Sequence, residues 1–371
     1  MTASFWLHRP LLLARGALAD RDRPPLAALA RVADGEAFVW AMLPHAARTF
    51  SACITLLPGD AALASAVAYL YCRMLDTCED LEPDRGAREA ALAAFAARFD
   101  DGPPRPAPAL RAPAPRDARD RVHLLLLERA ALVDREYARL PPAVQAAIRE
   151  LVREMAAGML RASANLGSQR GTLADDAQLR DYCRAVLGQP VVFAARLVRL
   201  GHDVVEPLTG AQREQALRVG EFVQLANVTR DIEKDLARGV AWEPSLHGDL
   251  LRTDAARDPG LRERVRAARE RLMRRAFGHA PAYAGLLDAM HLPRVSRARA
   301  SAVLMLLFTE RYWRECARRC GAAAWPGPER TPALFARAAA AALSARRAAA
   351  EVARVEAALL AALRGPRPAV A

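Results

Sequence analysis

The chain has 371 residues, 53% of them hydrophobic, enough for a substantial core in either one large helical domain or two to three smaller ones. Lys and Arg number 54 against 42 acids, and the formal charge of +12 suits nucleic acid, an anionic lipid surface or a strongly anionic small substrate. The positive residues are dispersed and overwhelmingly Arg, with no lysine-rich tail and no basic patch interleaved with aromatics, so no nucleic-acid partner is expected.

An apolar run at 11–14 is interrupted by Arg15, which argues against a secretory signal, and no stretch has the length and freedom from charge of a membrane span. The expected location is cytoplasmic with a peripheral membrane contact, for which Trp6, Leu7 and Leu11 to Leu13 are candidates; the same residues are equally suited to packing on the body. Alanine and leucine dominate, aromatics are only 6%, and no succession of alternating β-branched segments appears, so the chain reads as all-α.

A first helix is expected over 27–41, followed by a segment at 42–55. Pro58, Gly59 and Asp60 punctuate the chain, with Asp60 a candidate cap for a helix over 61–81, where Leu63, Val67, Leu70, Met74, Cys78 and Leu81 recur at three- and four-residue intervals. Six prolines within 101–120 preclude a continuous helix and predict an exposed loop or stiff excursion. Helical patterns resume at 122–137, 141–167 and 179–200, the last with a local break at Gly188 and Pro190. Thr209 is a candidate cap for a helix over 210–236. Helical patterns also cover 261–277, 297–320 and an alanine-rich tail at 332–363, suited to close packing, a surface helix or an oligomer contact. The domain organisation expected is an extension at 1–26, a single helical domain at 27–325 containing the Pro-rich loop 101–120, and an Ala/Arg-rich helical extension at 326–371.

Two helices carry carboxylate stripes. In the first, Tyr69, Arg73, Asp76 and Asp80 follow one another at intervals of four, three and four, with Glu79 beside them. In the second, Gly220, Gln224, Asn227, Asp231 and Asp235 line up, Arg230 and Lys234 flank them, and Glu233 falls roughly opposite Asp231. Closely spaced acids repel unless cations compensate them, and magnesium joins one or two carboxylates to substrate phosphates. Each acidic pair alone reads as a solvent-facing surface. Together, with polar neighbours in otherwise apolar helices, they predict a multi-metal diphosphate site on two facing helices, with Arg48, Arg73 and Arg230 to neutralise phosphate.

The neighbourhood of these stripes resembles the squalene/phytoene synthase family. The resemblance rests on HAARTF at 45–50, YLYCRMLDTCEDL at 69–81, DYCRAVLG at 181–188 and VQLANVTRDIEKDLARG at 223–239, followed by Trp242 and Pro244, and spans about 38–320. It implies an isoprenoid synthase-type helical bundle with a central prenyl-binding cavity, and head-to-head condensation of isoprenyl diphosphates. Asp76, Glu79 and Asp80 match its first metal motif, Asp231 and Asp235 its second, and Mg2+ is the implied cofactor. Arg48, Arg73 and Arg230 match substrate arginines, and Tyr182 a tyrosine of the later rearrangement. Phe50, Tyr69, Gln224, Asn227 and Lys234 complete the expected substrate-binding set.

Two departures stand out. Lys234 occupies a position where the family pattern carries an acid, and Val240 one where it often carries an arginine after the Arg-Gly pair. The wording DTCED favours the squalene branch, two farnesyl diphosphates giving presqualene diphosphate and then squalene with NADPH, for which no glycine-rich dinucleotide motif speaks. Alternatives are a phytoene synthase using geranylgeranyl diphosphate, a cyclase consuming one prenyl diphosphate, and a catalytically impaired prenyl-lipid binding protein. Phe50, Phe193, Phe222 and Trp242 suit either a prenyl tunnel or the core, His45 either substrate or structure, and the arginine run at 262–275 a solvated helix or anionic-membrane contact. The six cysteines read as buried or incidental thiols.

Overall fold

A computed structural model of the chain describes residues 11–13, 16, 19–20, 22–47, 49–100, 102–202, 204, 206–255, 257–321 and 329–364. They form α-helices, and the only β pairing among them is an isolated parallel bridge between Thr172 and Ala241. The backbone divides into two compact units, 1–160 with 193–206, and 161–192 with 207–371.

In the first unit the helix expected over 27–41 is two helices, α1 (Leu26–Arg31) and α2 (Gly35–Ala47), because the Asp34 carboxylate accepts the Ala37 N–H (2.8 Å) and starts a new helix. The segment at 42–55 is divided between the end of α2 and α3 (Thr49–Leu56). The next helix, α4 (Gly59–Leu81), is capped by Pro58 and begins before Asp60, which therefore lies inside the first turn, where its charge favours the helix dipole. Gly59 takes a positive φ of 42°, a conformation glycine tolerates. Val67, Leu70, Met74, Cys78 and Leu81 are buried as their spacing predicts.

Next come α5 (Arg85–Ala97), α6 (Ala118–Glu128), α7 (Ala130–Arg139) and α8 (Pro142–Ser168), which belongs to this unit up to residue 160. Tyr71, Phe95, Phe99 and Tyr137 pack edge-on, and Asp134 accepts both the Tyr71 hydroxyl (2.8 Å) and the Arg98 guanidinium (2.6 Å). The Pro-rich segment is non-helical, as its prolines require, but it is clasped rather than loose. Arg98 Nε donates to the Arg105 carbonyl (2.5 Å), the buried Glu82 carboxylate accepts the Arg111 and Ala112 N–H groups (2.8 and 3.1 Å), and the Leu81 carbonyl accepts Ala114 (2.9 Å). The excursion is thereby stapled to the C-terminal end of α4.

The second unit holds α9 (Asp176–Cys183), a π-turn at Arg184–Gly188 and the start of α10 (Gln189–Leu200). The π-turn is the expected break: Pro190 has no N–H for the helical ladder, and the freed turn widens. Next is α11 (Gly210–Arg230), opened by a capping box between Thr209 and Gln212. It stops at Asp231 (φ −99°, ψ 12°), and α12 (Ile232–Ala237) follows, so the helix expected over 210–236 is broken within its acidic stripe.

A 3₁₀ turn (Pro244–Asp249), α13 (Pro259–Phe277), α14 (Ala282–Ala289) and α15 (Arg297–Arg319) complete a core in which Phe222, Phe277, Tyr283 and Trp313 meet. The tail forms α16 (Thr331–Ala342) and α17 (Ala345–Arg364), both packed on α15. Leu334, Ala338, Val352, Val355 and Leu359 are buried there, and the nearly inaccessible Glu310 accepts from Arg314 (2.7 Å) and Arg354 (2.6 Å). One face of the tail is therefore closely packed on α15.

No helix among the described residues is long and apolar enough to cross a membrane, and Trp6 and Leu7 lie outside those residues. On α13, Arg264, Arg266, Arg271 and Arg275 and the buried Arg269 are each ion-paired to acids, which neutralises much of the basic run. All six cysteines are buried thiols outside any disulfide, and burial pushes the Cys316 thiol up to about 12 and Cys320 to about 11.

Candidate functional site

On α4 one guanidinium organises the first stripe. Arg73 Nη2 donates to the Tyr69 hydroxyl (2.9 Å), Nη1 lies 3.1 Å from Asp76 Oδ2, and Nε is buried without a partner. The Tyr69 hydroxyl donates in turn to the Ala46 carbonyl (3.4 Å), and its ring packs against half-buried Phe50 with centroids 5.5 Å apart. Phe50, Tyr69, Arg73 and Asp76 are thus brought together, while Glu79 is half-buried and Asp80 exposed. Arg48 lies outside the described residues.

Burial pushes the Asp76 carboxyl up from 3.8 to about 6, against the attraction of Arg73 and with the help of repulsion from Asp80. The fold therefore favours its neutral form relative to the unfolded chain. As pH rises from about 4 to 6 the unfolded chain ionises first, native stability falls, and the loss is complete above about 6. Asp76→Asn removes this ionisation, so its stability advantage over wild type, measured by denaturant unfolding in EDTA, is expected to grow from near zero at pH 4 to about 2–3 kcal/mol at pH 7.5. A difference independent of pH would refute the burial argument.

Sequence reasoning missed Arg116. It leaves the Pro-rich segment to fork onto Asp120 (2.7 and 3.1 Å), which chiefly raises its pKa, and Asp80 adds to the shift. An aperiodic proline-rich loop offers no spacing that would have signalled this.

The second stripe is organised differently. Arg230 forks onto Asp231 (Nε 2.9 Å, Nη2 2.6 Å) and stacks over the Tyr312 ring, its guanidinium carbon 4.7 Å from the centroid. Asn227 donates to buried Gln224 (3.1 Å), and the Asn227 carbonyl receives the Asp231 N–H (3.0 Å). Across the helix break the Asp235 N–H still bonds to the Asp231 carbonyl (2.9 Å), which keeps the acids one turn apart.

Asp235 accepts the Trp242 indole N–H (2.9 Å), with Arg238 at 3.8 Å, and Trp242 stacks on Tyr182 with centroids 4.2 Å apart and an 18° interplanar angle. Tyr182 is thereby linked to the acid through one indole. Trp242, read from sequence as tunnel or core, is the carboxylate's partner; its position just after the Arg-Gly turn was the available signal. That turn is pinned where Gly239, at φ 77°, passes Gly171, with Ala241 N–H bonded to the Gly171 carbonyl (2.8 Å).

Glu233 is spent elsewhere: both its oxygens lie 2.7 Å from Nη2 of the buried Arg269, which also bonds to the Thr229 carbonyl. Its expected separation from Asp231 and Asp235 follows. Lys234 is exposed.

Among the described residues no group of three or more His, Cys, Asp or Glu is gathered tightly enough to hold a metal by itself. The donor set nevertheless fits magnesium that also binds phosphate oxygens. It is all carboxylate oxygen, and Asp76 and Asp80 repel in a way a divalent cation relieves.

An all-α architecture with acid stripes backed by arginine is that of an isoprenoid synthase-type prenyltransferase. The family described as squalene/phytoene synthase matches residues 43–320, close to the 38–320 expected. No curated protein matches the chain by sequence. Among solved structures, the complex of TcSQS, a squalene synthase, with the ligand BPH1237 has 19% identity and a TM-score of 0.69, covering 88% of this chain and 92% of that one. The complex of TcSQS with E5700 has 19% identity and a TM-score of 0.68, covering 88% and 91%. The chain belongs to the squalene/phytoene synthase family, and it is a prenyltransferase of that type.

Proposed function

We propose that the chain condenses two farnesyl diphosphates head to head into presqualene diphosphate and, with NADPH, carries the product on to squalene. The observation that carries this reading is the Arg73 cluster: a half-buried guanidinium whose Nε has no partner, beside an acid pair that favours a cation.

Asp76, Glu79 and Asp80 on one stripe, and Asp231 and Asp235 on the other, are the proposed magnesium holders. Bound magnesium supplies charge neutralisation at the departing diphosphate. Arg73 donates to phosphate oxygens through the Nε not used by Tyr69 or Asp76, and Arg230 adds a second planar donor array. Asp231 stays available despite the Arg230 fork, since a carboxylate has lone pairs beyond those a fork uses. Gln224 and Asn227 orient the leaving group by amide hydrogen bonds, and Phe50 and Tyr69 present ring faces that exclude water from the allylic cation. The double bond of the second substrate attacks that cation, and loss of a proton closes the cyclopropane. Tyr182, stacked on Trp242, is assigned to the rearrangement that follows departure of the second diphosphate.

A second reading, in which the reaction stops at the cyclopropyl diphosphate, is favoured by one observation. Val240 offers no side-chain donor where the family pattern often has an arginine, and its N–H is already bonded to the Asp235 carbonyl (2.9 Å).

The test supplies purified protein with farnesyl or geranylgeranyl diphosphate, with and without magnesium and NADPH, and identifies products by mass spectrometry. A magnesium-dependent dimer of farnesyl units is expected, reduced to squalene only with NADPH. Geranylgeranyl-derived phytoene would reassign the substrate, a monomer-derived hydrocarbon would indicate cyclisation, and no diphosphate release under any condition would end the enzymatic reading.

A further inference from the structure

Lys234 is the only lysine in the chain; the rest of the 54 residues counted as Lys plus Arg are arginine. It lies on α12 three residues after Asp231 and one before Asp235, exposed, and it pairs with no acid among the described residues. The acids around it are engaged by other groups. Asp231 is forked by Arg230, Glu233 is held by Arg269, and Asp235 accepts from Trp242 with Arg238 nearby. A cation without an anion among the described residues therefore stands on the short helix α12, one residue before Asp235.

Resting on the reading of this stripe as a diphosphate site, we propose that Lys234 is itself a phosphate ligand, so that this stripe recognises diphosphate by a direct ammonium contact where an acid would recognise it only through a metal. The side-chain type suits the task. An ammonium is a compact point charge with three donors on a flexible stem, able to follow a phosphate oxygen. It lacks the fork with which a guanidinium chelates a carboxylate, so it does not displace Arg230 from Asp231. Two consequences follow: this chain retains affinity for pyrophosphate when divalent metal is removed, and that affinity depends on one side chain.

Having a single lysine makes the test direct. Inorganic pyrophosphate is titrated calorimetrically into the full chain in EDTA, for wild type, Lys234→Gln and Lys234→Arg. Reductive methylation of Lys234 in the unaltered protein is followed by mass spectrometry, with and without pyrophosphate. Lys234→Gln is expected to weaken metal-free binding about tenfold, the scale of one charge-assisted contact. Lys234→Arg, which keeps the charge but offers a fork Asp231 can capture, is expected to fall between. Pyrophosphate should slow methylation of Lys234 several-fold, a readout that needs no variant to fold.

Equal or tighter binding by Lys234→Gln, or methylation indifferent to pyrophosphate, overturns the proposal. If wild type still turns over farnesyl diphosphate with magnesium in that case, the proposed function stands and only the lysine contact falls. If wild type neither turns over nor binds pyrophosphate with magnesium, both fall.

Discussion

Asp231→Asn is expected to reduce magnesium-dependent diphosphate release from farnesyl diphosphate by about a thousandfold, with the fold intact. The amide keeps the shape of the side chain and an oxygen that can accept from Arg230, whose fork onto Asp231 measures 2.9 and 2.6 Å. What is lost is the negative charge and one anionic oxygen of a proposed metal holder. The stability cost should be small because Asp231 is 34% exposed and solvent already screens the pair. Asp76→Asn should lose activity to a similar degree while gaining stability at neutral pH, since Asp76 is held at about 6 by burial. Loss of turnover without loss of fold at one position, and with a gain of fold at the other, separates a chemical role from a structural one. The measurements are continuous phosphate release after pyrophosphatase coupling and denaturant unfolding of the same preparations. Turnover within tenfold of wild type in either variant would remove that acid from the mechanism.

Gly220→Ala is expected to destabilise the protein by about 3 kcal/mol or more. A Cβ at position 220 would stand 2.3 Å from the Gly188 Cα, 2.5 Å from its N and 2.5 Å from the Leu187 carbonyl. All three are backbone atoms of the π-turn, so no side-chain rotation can relieve the contact. The turn is further held by Arg184, which reaches both Glu214 (2.7 Å) and the buried Glu221 (3.3 Å), the latter also bound by Arg275 and His279. Any shift of α11 away from the turn would strain that network. The same substitution at Gly210, where nothing lies within 4 Å of the new Cβ, should stabilise the first turn of α11 by up to about 1 kcal/mol. Urea midpoints of the two variants should therefore move in opposite directions, and a Gly220→Ala midpoint equal to wild type would show that the turn yields.

The helical class was legible because its signals are local. Alanine, leucine and arginine favour helix at each position, and three- and four-residue spacing marked the buried face of α4 in advance. The errors fell at breaks. Asp34 capping a new helix, Arg129 dividing α6 from α7, and the stop of α11 at Asp231 each depend on a few dihedral angles that propensity averages away. Asp60, a candidate cap by sequence, lies two residues beyond the actual cap position, since Pro58 and Gly59 already open the helix.

The acid stripes themselves could be read from the chain alone: spacing of three and four residues places Tyr69, Arg73, Asp76 and Asp80 on one face, and Asp231 and Asp235 one turn apart, whatever surrounds them. The sequence also sufficed for the family, because the motifs occur in order over 43–320. Only tertiary structure decided what each acid meets. Burial raises Asp76, the Trp242 indole donates to Asp235, Arg269 takes Glu233, and Lys234 is left without an anion among the described residues. The physical reason is range. Helical periodicity is set within a turn or two of chain, whereas desolvation and charge pairing depend on groups brought close by packing, such as Arg269 and Glu233, 36 residues apart.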